Sequence, residues 1–393
     1  MRYTGVCARG IKTPILKNGD DLVSIVCDSI GAAAEHEGFA LCDGDIVAVT
    51  EAVVGRCQGN YASCAQIEAD LRSKFDGESL GIVFPILSRN RFSVLLRAIA
   101  KSTEKLYIQL SYPADEVGNA LFDPNLLDTL SVNPYSENFD LPAFRSLFGA
   151  KTRHPFTGID YVDFYSKHAD NIEIVFSKDP RHILTYTKQV LCCDIHSRER
   201  TKAMLRSCGG ELVLGLDDIL TQSVLGSGFN AEYGLLGSNK ATEELVKLFP
   251  RDCDILVKQL QLALHTRFGR RFESMVYGDG GFKDPQGGIW ELADPVISPA
   301  YTPGLSGVPN ELKIKYLADN ELANLSGEAL ADAIRDRIRA KGKGSEGQMV
   351  SEGTTPRKLT DLLGSLSDLI SGSGDRGTPV VLIQNYFSNY ASD

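Results

Sequence analysis

Residues 43–50, DGDIVAVT, place a tight Asp-Gly-Asp turn before a continuous, largely apolar run, Ile46 to Thr50. The run does not alternate, so neither of its faces suits water. A segment of this kind is a strand covered on both sides, as in sheets with helices on each face. PVVLI at 379–383 reads as a second buried strand near the other end of the chain. Helical patterns supply the covering layers. Asp20 or Asp21 caps a helix with Leu22, Ile25, Val26, Ile30 and Ala33 at helical spacing. Ile255, Leu256, Leu260, Leu264 and Phe268 mark another, stopped by Gly269. Amphipathic helices also read through Leu330, Ile334 and Ile338, and through RKLTDLLGSLSDLIS at 357–371. The fold class is mixed α/β (α+β).

The chain has 393 residues, which suggests two or three domains with ample core. Its net charge is −10 and no block of lysine and arginine occurs, so a nucleic-acid partner is not expected. No apolar run approaches the roughly 20 residues of a membrane span, and no signal-peptide core is visible at the start. Nine scattered cysteines without a CxxC read as reduced thiols of a cytoplasmic protein.

From 85 to 225 the character changes. RNRFSVLLRAIAKS is an amphipathic helix, KLYIQLSY a strand, and 113–168 reads as irregular. IEIVFS, QVLCCDIH and ELVLGLDD are then strands separated by helix signals at Asp179-Pro180 and SRERTKAMLRS. That order suggests a small parallel sheet. Asp194, His196, Arg198, Asp217 and Asp218 fall at its strand ends, where they serve as helix caps or as ligand-binding groups. Asp115 and Glu116 read as the solvated start of a helix.

VYGDGGFKDPQGG, from Val276, follows a strand and combines glycines with Asp279, Lys283 and Asp284. Glycines admit close backbone approach, the aspartates are hard oxygen donors for Mg²⁺ or Mn²⁺, and lysine meets phosphate. By spacing alone the segment is either a wide turn or a binding loop. GSGDRG at 372–377 fits GxGxxG only formally: a helix precedes it and a strand follows, the reverse of a dinucleotide site.

GIKTPILKNGDDLVSIV and LCDGDIVAVTEAVVGRCQGN resemble the opening of the coenzyme F420-0:L-glutamate ligase family, through Gly19, Asp20, Asp21, Asp43, Gly44, Asp45, Thr50, Arg56 and Gly59. The family's N-A-G-x-D-x-S-N is echoed by Asn230-Ala231 and Ser238-Asn239, and its S-D-T-x-G-R-P falls on GDGGFKDP. Its D-E-L-A…P-V-V-L ending falls on TDLLGSLSDLISGSGDRGTPVVLIQ. Asp279 then matches a metal-binding aspartate. Arg56 stands where the family has lysine, Gln58 where it has glutamate, Ser373 where it has glutamine and Gly280 where it has threonine. The second metal aspartate is replaced by Gly234 or Leu236, with Glu232 the nearby acid that could substitute.

The resemblance implies a ligase-like domain in two parts, 1–84 and 226–393, around an inserted α/β segment at 85–225. It implies a homodimer that uses GTP or ATP with Mg²⁺ or Mn²⁺ to activate a small-molecule carboxylate as an acyl phosphate. A glutamate-like amine then displaces the phosphate to form an amide. Asp279, Arg56 and Lys283 are the expected catalytic groups. Gly280, Gly281, Asn230, Ser238, Asn239 and Gln58 are expected to bind the nucleotide, and Asp279, Glu232 and Asp284 the metal. Two alternatives stand beside it: a nucleotide- and metal-binding regulatory protein on the same scaffold, and a hydrolase built on Asp194 and Asp217.

Overall fold

The run after Asp43-Gly44 is the central strand of a sheet in the computed structural model, which describes residues 4–155, 157–280, 294–341, 351, 357–371 and 375–392. In chain order the described strands are β1 (Cys7–Ile11), β2 (Asp45–Thr50), β3 (Tyr61–Ser63), β4 (Ser79–Val83), β5 (Lys105–Leu110), β6 (Phe139–Asp140) and β7 (Ile172–Phe176). They continue with β8 (Gln189–Cys192), β9 (Leu212–Gly215), β10 (Asn239–Lys240), β11 (Leu245–Lys247), β12 (Phe272–Tyr277), β13 (Ala300–Tyr301) and β14 (Val380–Gln384).

The first sheet has the order β1-β14-β2-β12-β13, with β2 parallel to β12 and antiparallel to β14. The alternating side chains of β2 enter two different cores. Val47 and Val49 pack with Val26, Ile30, Val257 and Leu260, from the helices Leu22–Glu37 and Cys253–Phe268. Ile46 and Ala48 pack with Met275, Val381 and Leu363, the last from the helix Leu359–Ser371. A strand sandwiched in this way must be apolar at every position. Each such valine or isoleucine contributes about 1.5–3 kcal/mol by leaving water. The expected helix ends hold: Asp21 accepts a hydrogen bond from the Ser24 N–H at 3.1 Å, and Gly269 ends its helix in the left-handed region, φ 65°.

The second sheet, β6-β7-β5-β4-β8-β9, is parallel except for β6 at its edge. From β4 the chain steps outward through β5 to β7, then crosses to β8 and β9 on the other side. The expected β7-β8-β9 series is therefore split, with β5 and β4 between β7 and β8. Its central strand, β4, lies ahead of residue 85. The three-stranded antiparallel sheet β10-β11-β3 stands beside these two.

Residues 113–168 hold three short helices, Asn125–Leu130, Leu141–Phe148 and Tyr161–Ser166, where an irregular segment was expected. Asp140 and Asp160 cap the latter two, and Phe144 and Phe148 join Tyr112 and Phe122 in the core. Helices this short lack the repeated apolar spacing that marks a longer one. Among the described residues no helix is long and apolar enough to cross a membrane. All nine cysteines are free thiols.

Asp115 and Glu116 are not a solvated helix start. The Asp115 carboxylate is half-buried and accepts from the backbone N–H groups of Leu87, Val117 and Asn119 at 2.8, 3.1 and 2.8 Å. Glu116 reaches the N–H groups of His196 and Ser197, and also that of Ile195. Burial pushes Asp115 up to about 6 despite its donors. An unfolded aspartate ionises near about 3.9, so the folded state holds an extra proton between the two values. The contribution of this group is thus greatest below about pH 4 and is lost as pH rises through about 6. In urea unfolding, Asp115→Asn should remove that component. The difference in midpoint between wild type and variant should change over pH 4–6 and be flat above pH 7.

Candidate functional site

Thr50, the last residue of β2, lies opposite Tyr277, the last residue of β12. Because the two strands are parallel neighbours, their carboxyl ends open at one level. That is where ligands sit in sheets of this kind. The helix Glu51–Cys57 starts directly at the end of β2, with the Thr50 hydroxyl accepting from the Ala52 N–H at 3.4 Å. After β12 the chain passes through Gly278 to Asp279. A cleft of about 460 Å³ lies between these ends, lined by Thr50, Glu51, Arg56, Asn239, Asp279 and Asp368, with walls from 13–16 and 377–379.

Asp279 is the most constrained group in the cleft. Its N–H donates to Asp294 Oδ2 at 2.7 Å, and its Oδ2 meets Arg91 Nη2 at 2.5 Å. Arg91 Nη1 reaches Asp294 Oδ1 at 2.8 Å, so one guanidinium spans both carboxylates. The N–H of Gly280 donates to Asp368 Oδ2 at 3.2 Å. Two glycines make these approaches possible. A Cβ on Gly278 would lie 2.4 Å from Asp294 Oδ2, and one on Gly280 would lie 2.8 Å from Ser365 Cα. Below them the buried Glu51 pairs with Lys247 at 2.6 Å.

Burial is the largest influence on Asp279, and with Asp294 it pushes the carboxyl up to about 7 against the pull of Arg91. Asp368 and Glu51 act in the same upward direction. Arg91 stays cationic: burial works against its charge, but Asp294 and Asp279 outweigh it. Asp279 and Asp294 thus share Arg91, and Glu51 holds Lys247. In hard-oxygen chemistry Asp279 and Asp368, the aspartates that line the cleft, suit a divalent cation. Among the described residues no three acid, histidine or cysteine side chains converge as a cage, and Arg91 occupies the inner side of Asp279.

The expected site residues separate into two groups. Arg56, Asn239 and Asp279 come together at the cleft, with Gly280 beside them. Gln58, Asn230, Ser238 and Glu232 do not line it. Gln58 clamps the backbone of Arg251 at 2.5 and 3.1 Å. The buried Asn230 side chain donates to the Phe249 and Pro250 carbonyls and accepts from the Glu232 and Tyr233 N–H groups. Ser238 is buried at an apolar crevice beside Leu235. Glu232 is exposed on the turn that Asn230 holds. Gly281, Lys283, Asp284 and Ser373 lie outside the described residues. The expected catalytic or ligand groups of the parallel sheet also serve otherwise. Asp194 is buried and accepts from the Thr201 hydroxyl at 2.7 Å, while Asp217 pairs with Arg198 and Lys202 at 2.7 and 3.2 Å. Sequence reasoning missed Arg91, Glu51, Asp294, Asp368 and Lys247. None sits in a local pattern, because each finds its partner only across the fold.

The protein is thus a mixed α/β protein with a charged cleft at the carboxyl ends of adjacent parallel strands, backed by a buried ion-pair network. Residues 10–385 match the model of the F420-0:Gamma-glutamyl ligase family, and the chain belongs to that family. The matched range runs through the middle segment as well as both ends. No curated protein matches the chain.

Arg91→Met should leave the buried Asp294 carboxylate and the half-buried Asp279 without their shared cation. A loss of about 3 kcal/mol is expected from breaking a buried pair. It would be read as a lower urea midpoint at pH 8 and partly recovered near pH 5.

Proposed function

We propose that the protein is a metal- and nucleoside-triphosphate-dependent ligase of the γ-glutamyl type. In this reading it joins a small-molecule carboxylate to glutamate or a similar amine. The observation that carries this is the meeting of Asp279, Arg56 and Asn239, far apart in sequence, in one cleft of a chain that belongs to a ligase family. GTP or ATP is the proposed energy donor, and the working unit a homodimer.

The chemistry follows from charge. A carboxylate oxygen attacks the terminal phosphorus and the nucleoside diphosphate leaves; the amine then attacks the acyl carbon and phosphate leaves. Both steps need anions brought together, so positioning and neutralisation dominate. Arg56 stands exposed at the cleft, makes no ion pair among the described residues, and is suited to hold a phosphate or the acceptor carboxylate. Asn239 offers an amide to a polar group of the substrate. Asp279 and Asp368 would hold Mg²⁺ or Mn²⁺, which when bound supplies charge for the phosphate oxygens. Arg91 keeps Asp279 in place from beneath.

The test is amine-dependent phosphate release over a panel of amines and metabolite acids, with GTP and ATP and with each metal. Asp279→Asn should lower turnover by about 100-fold or more, as loss of a charge-positioning group does. Arg56→Ala should lower kcat/KM by about tenfold or more, the value of one charge-assisted contact. A fully active Asp279→Asn protein would remove the metal assignment. Arg91 spanning Asp279 and Asp294 favours one second reading, a regulatory nucleotide-binding protein. That reading expects a thermal shift with nucleotide and no turnover with any acceptor.

A further inference from the structure

The six-stranded sheet has its own point of reversal, between β4 and β8, where the chain stops stepping one way and starts stepping the other. A crevice outside the carboxyl ends of parallel strands is the expected ligand position at such a point. A cleft of about 300 Å³ lies there, bounded by Phe84 after β4, Lys178 to Arg181 after β7, and Ser197 to Met204 after β8. It shares no lining residue with the Asp279 cleft.

Its charge is unlike that of the protein. The chain carries −10 overall, yet this cleft gathers Lys178, Arg181 and Arg200 against one lining acid, Asp179. Asp179 is already engaged by Arg181 at 2.6 Å. Lys178 and Arg200 make no ion pair among the described residues. The backbone N–H groups of His196 and Ser197, before the helix Arg198–Ser207, are taken by Glu116. An arriving anion would therefore be held by side chains rather than by a helix end.

The cleft also presents aromatic surface. Tyr135 is 80% exposed, and Lys178 Nζ lies 4.9 Å from its ring centroid. Phe84 takes φ 54°, a conformation that a bulky residue adopts only when its surroundings impose it. A large exposed ring beside two cations without carboxylates suits a ligand that joins a flat ring to a phosphate. The volume, at the lower end for ligand pockets, limits it to a small one.

We propose that this cleft is a second binding site, distinct from the ligase cleft, for a small organic phosphate of nucleoside monophosphate type. The phosphate lies between Lys178 and Arg200, and the ring lies against Tyr135. Isothermal titration of the full-length protein with AMP, ribose 5-phosphate and adenosine tests it. AMP should bind one per chain, at least about tenfold more tightly than adenosine. K178E/R200E, at a half-buried and an exposed position, should lose at least about tenfold in AMP affinity with an unchanged circular dichroism spectrum. Tyr135→Ala should weaken AMP more than ribose 5-phosphate, and Arg56→Ala should leave AMP binding as it is. The proposal is overturned by an absence of binding of either phosphate, by equal affinity for adenosine, or by undiminished binding to K178E/R200E. Loss of AMP binding in Arg56→Ala would place the ligand in the ligase cleft instead. None of these readouts depends on ligase turnover.

Discussion

The parallel pairing of β2 with β12 is the constraint on which the rest of the cleft depends. Phe272 lies opposite Asp45 and Tyr277 opposite Thr50, so segments from distant parts of the chain finish side by side. Parallel strands cannot be joined by a tight turn, and the chain between these two must travel elsewhere. Here that excursion contains the whole six-stranded sheet. β14 then closes the other side of β2, bringing Thr378 and Pro379 to the cleft wall. A one-residue slip in β2 would exchange Val47 and Val49 for Ile46 and Ala48 between two differently shaped cores, so the register is firmly set.

The electrostatics tie the two larger sheets to each other. Arg91 precedes the helix Phe92–Lys101, which packs in the core of the six-stranded sheet, yet its guanidinium holds Asp279 and Asp294 beside the five-stranded one. Lys247, from the three-stranded sheet, neutralises Glu51 at the end of β2. All three sheets therefore contribute a charge to one cluster. Buried pairs of this kind add little net stability, because desolvation offsets attraction, but an unmatched partner is costly. Their effect is to make one relative placement of the sheets much better than any other.

Local signals were legible where the physics is local. Asp21 caps a helix and Gly269 ends one because those roles depend on a few neighbouring residues. The mixed α/β class followed from apolar runs too continuous to face water. Motif resemblance singled out Arg56, Asn239 and Asp279, and the fold brings them to one cleft. Asn230 and Gln58 share that resemblance but spend their hydrogen bonds on backbone, which a motif does not distinguish from ligand binding. Asp115 and Glu116 misled for the same reason: adjacent acids look solvated until folding places amides from Leu87 and Ser197 against them.

The sequence by itself determined about half of the described strands, the longer helices and the family, since these rest on periodicity, capping and motif spacing within short windows. Only the tertiary structure decided the strand order of the six-stranded sheet and the neighbours of Asp279. Arg91, Asp294, Asp368 and Glu51 carry no mark of their joint role along the chain. Their charges interact through space, and their proximity exists only once β2 and β12 have aligned their ends.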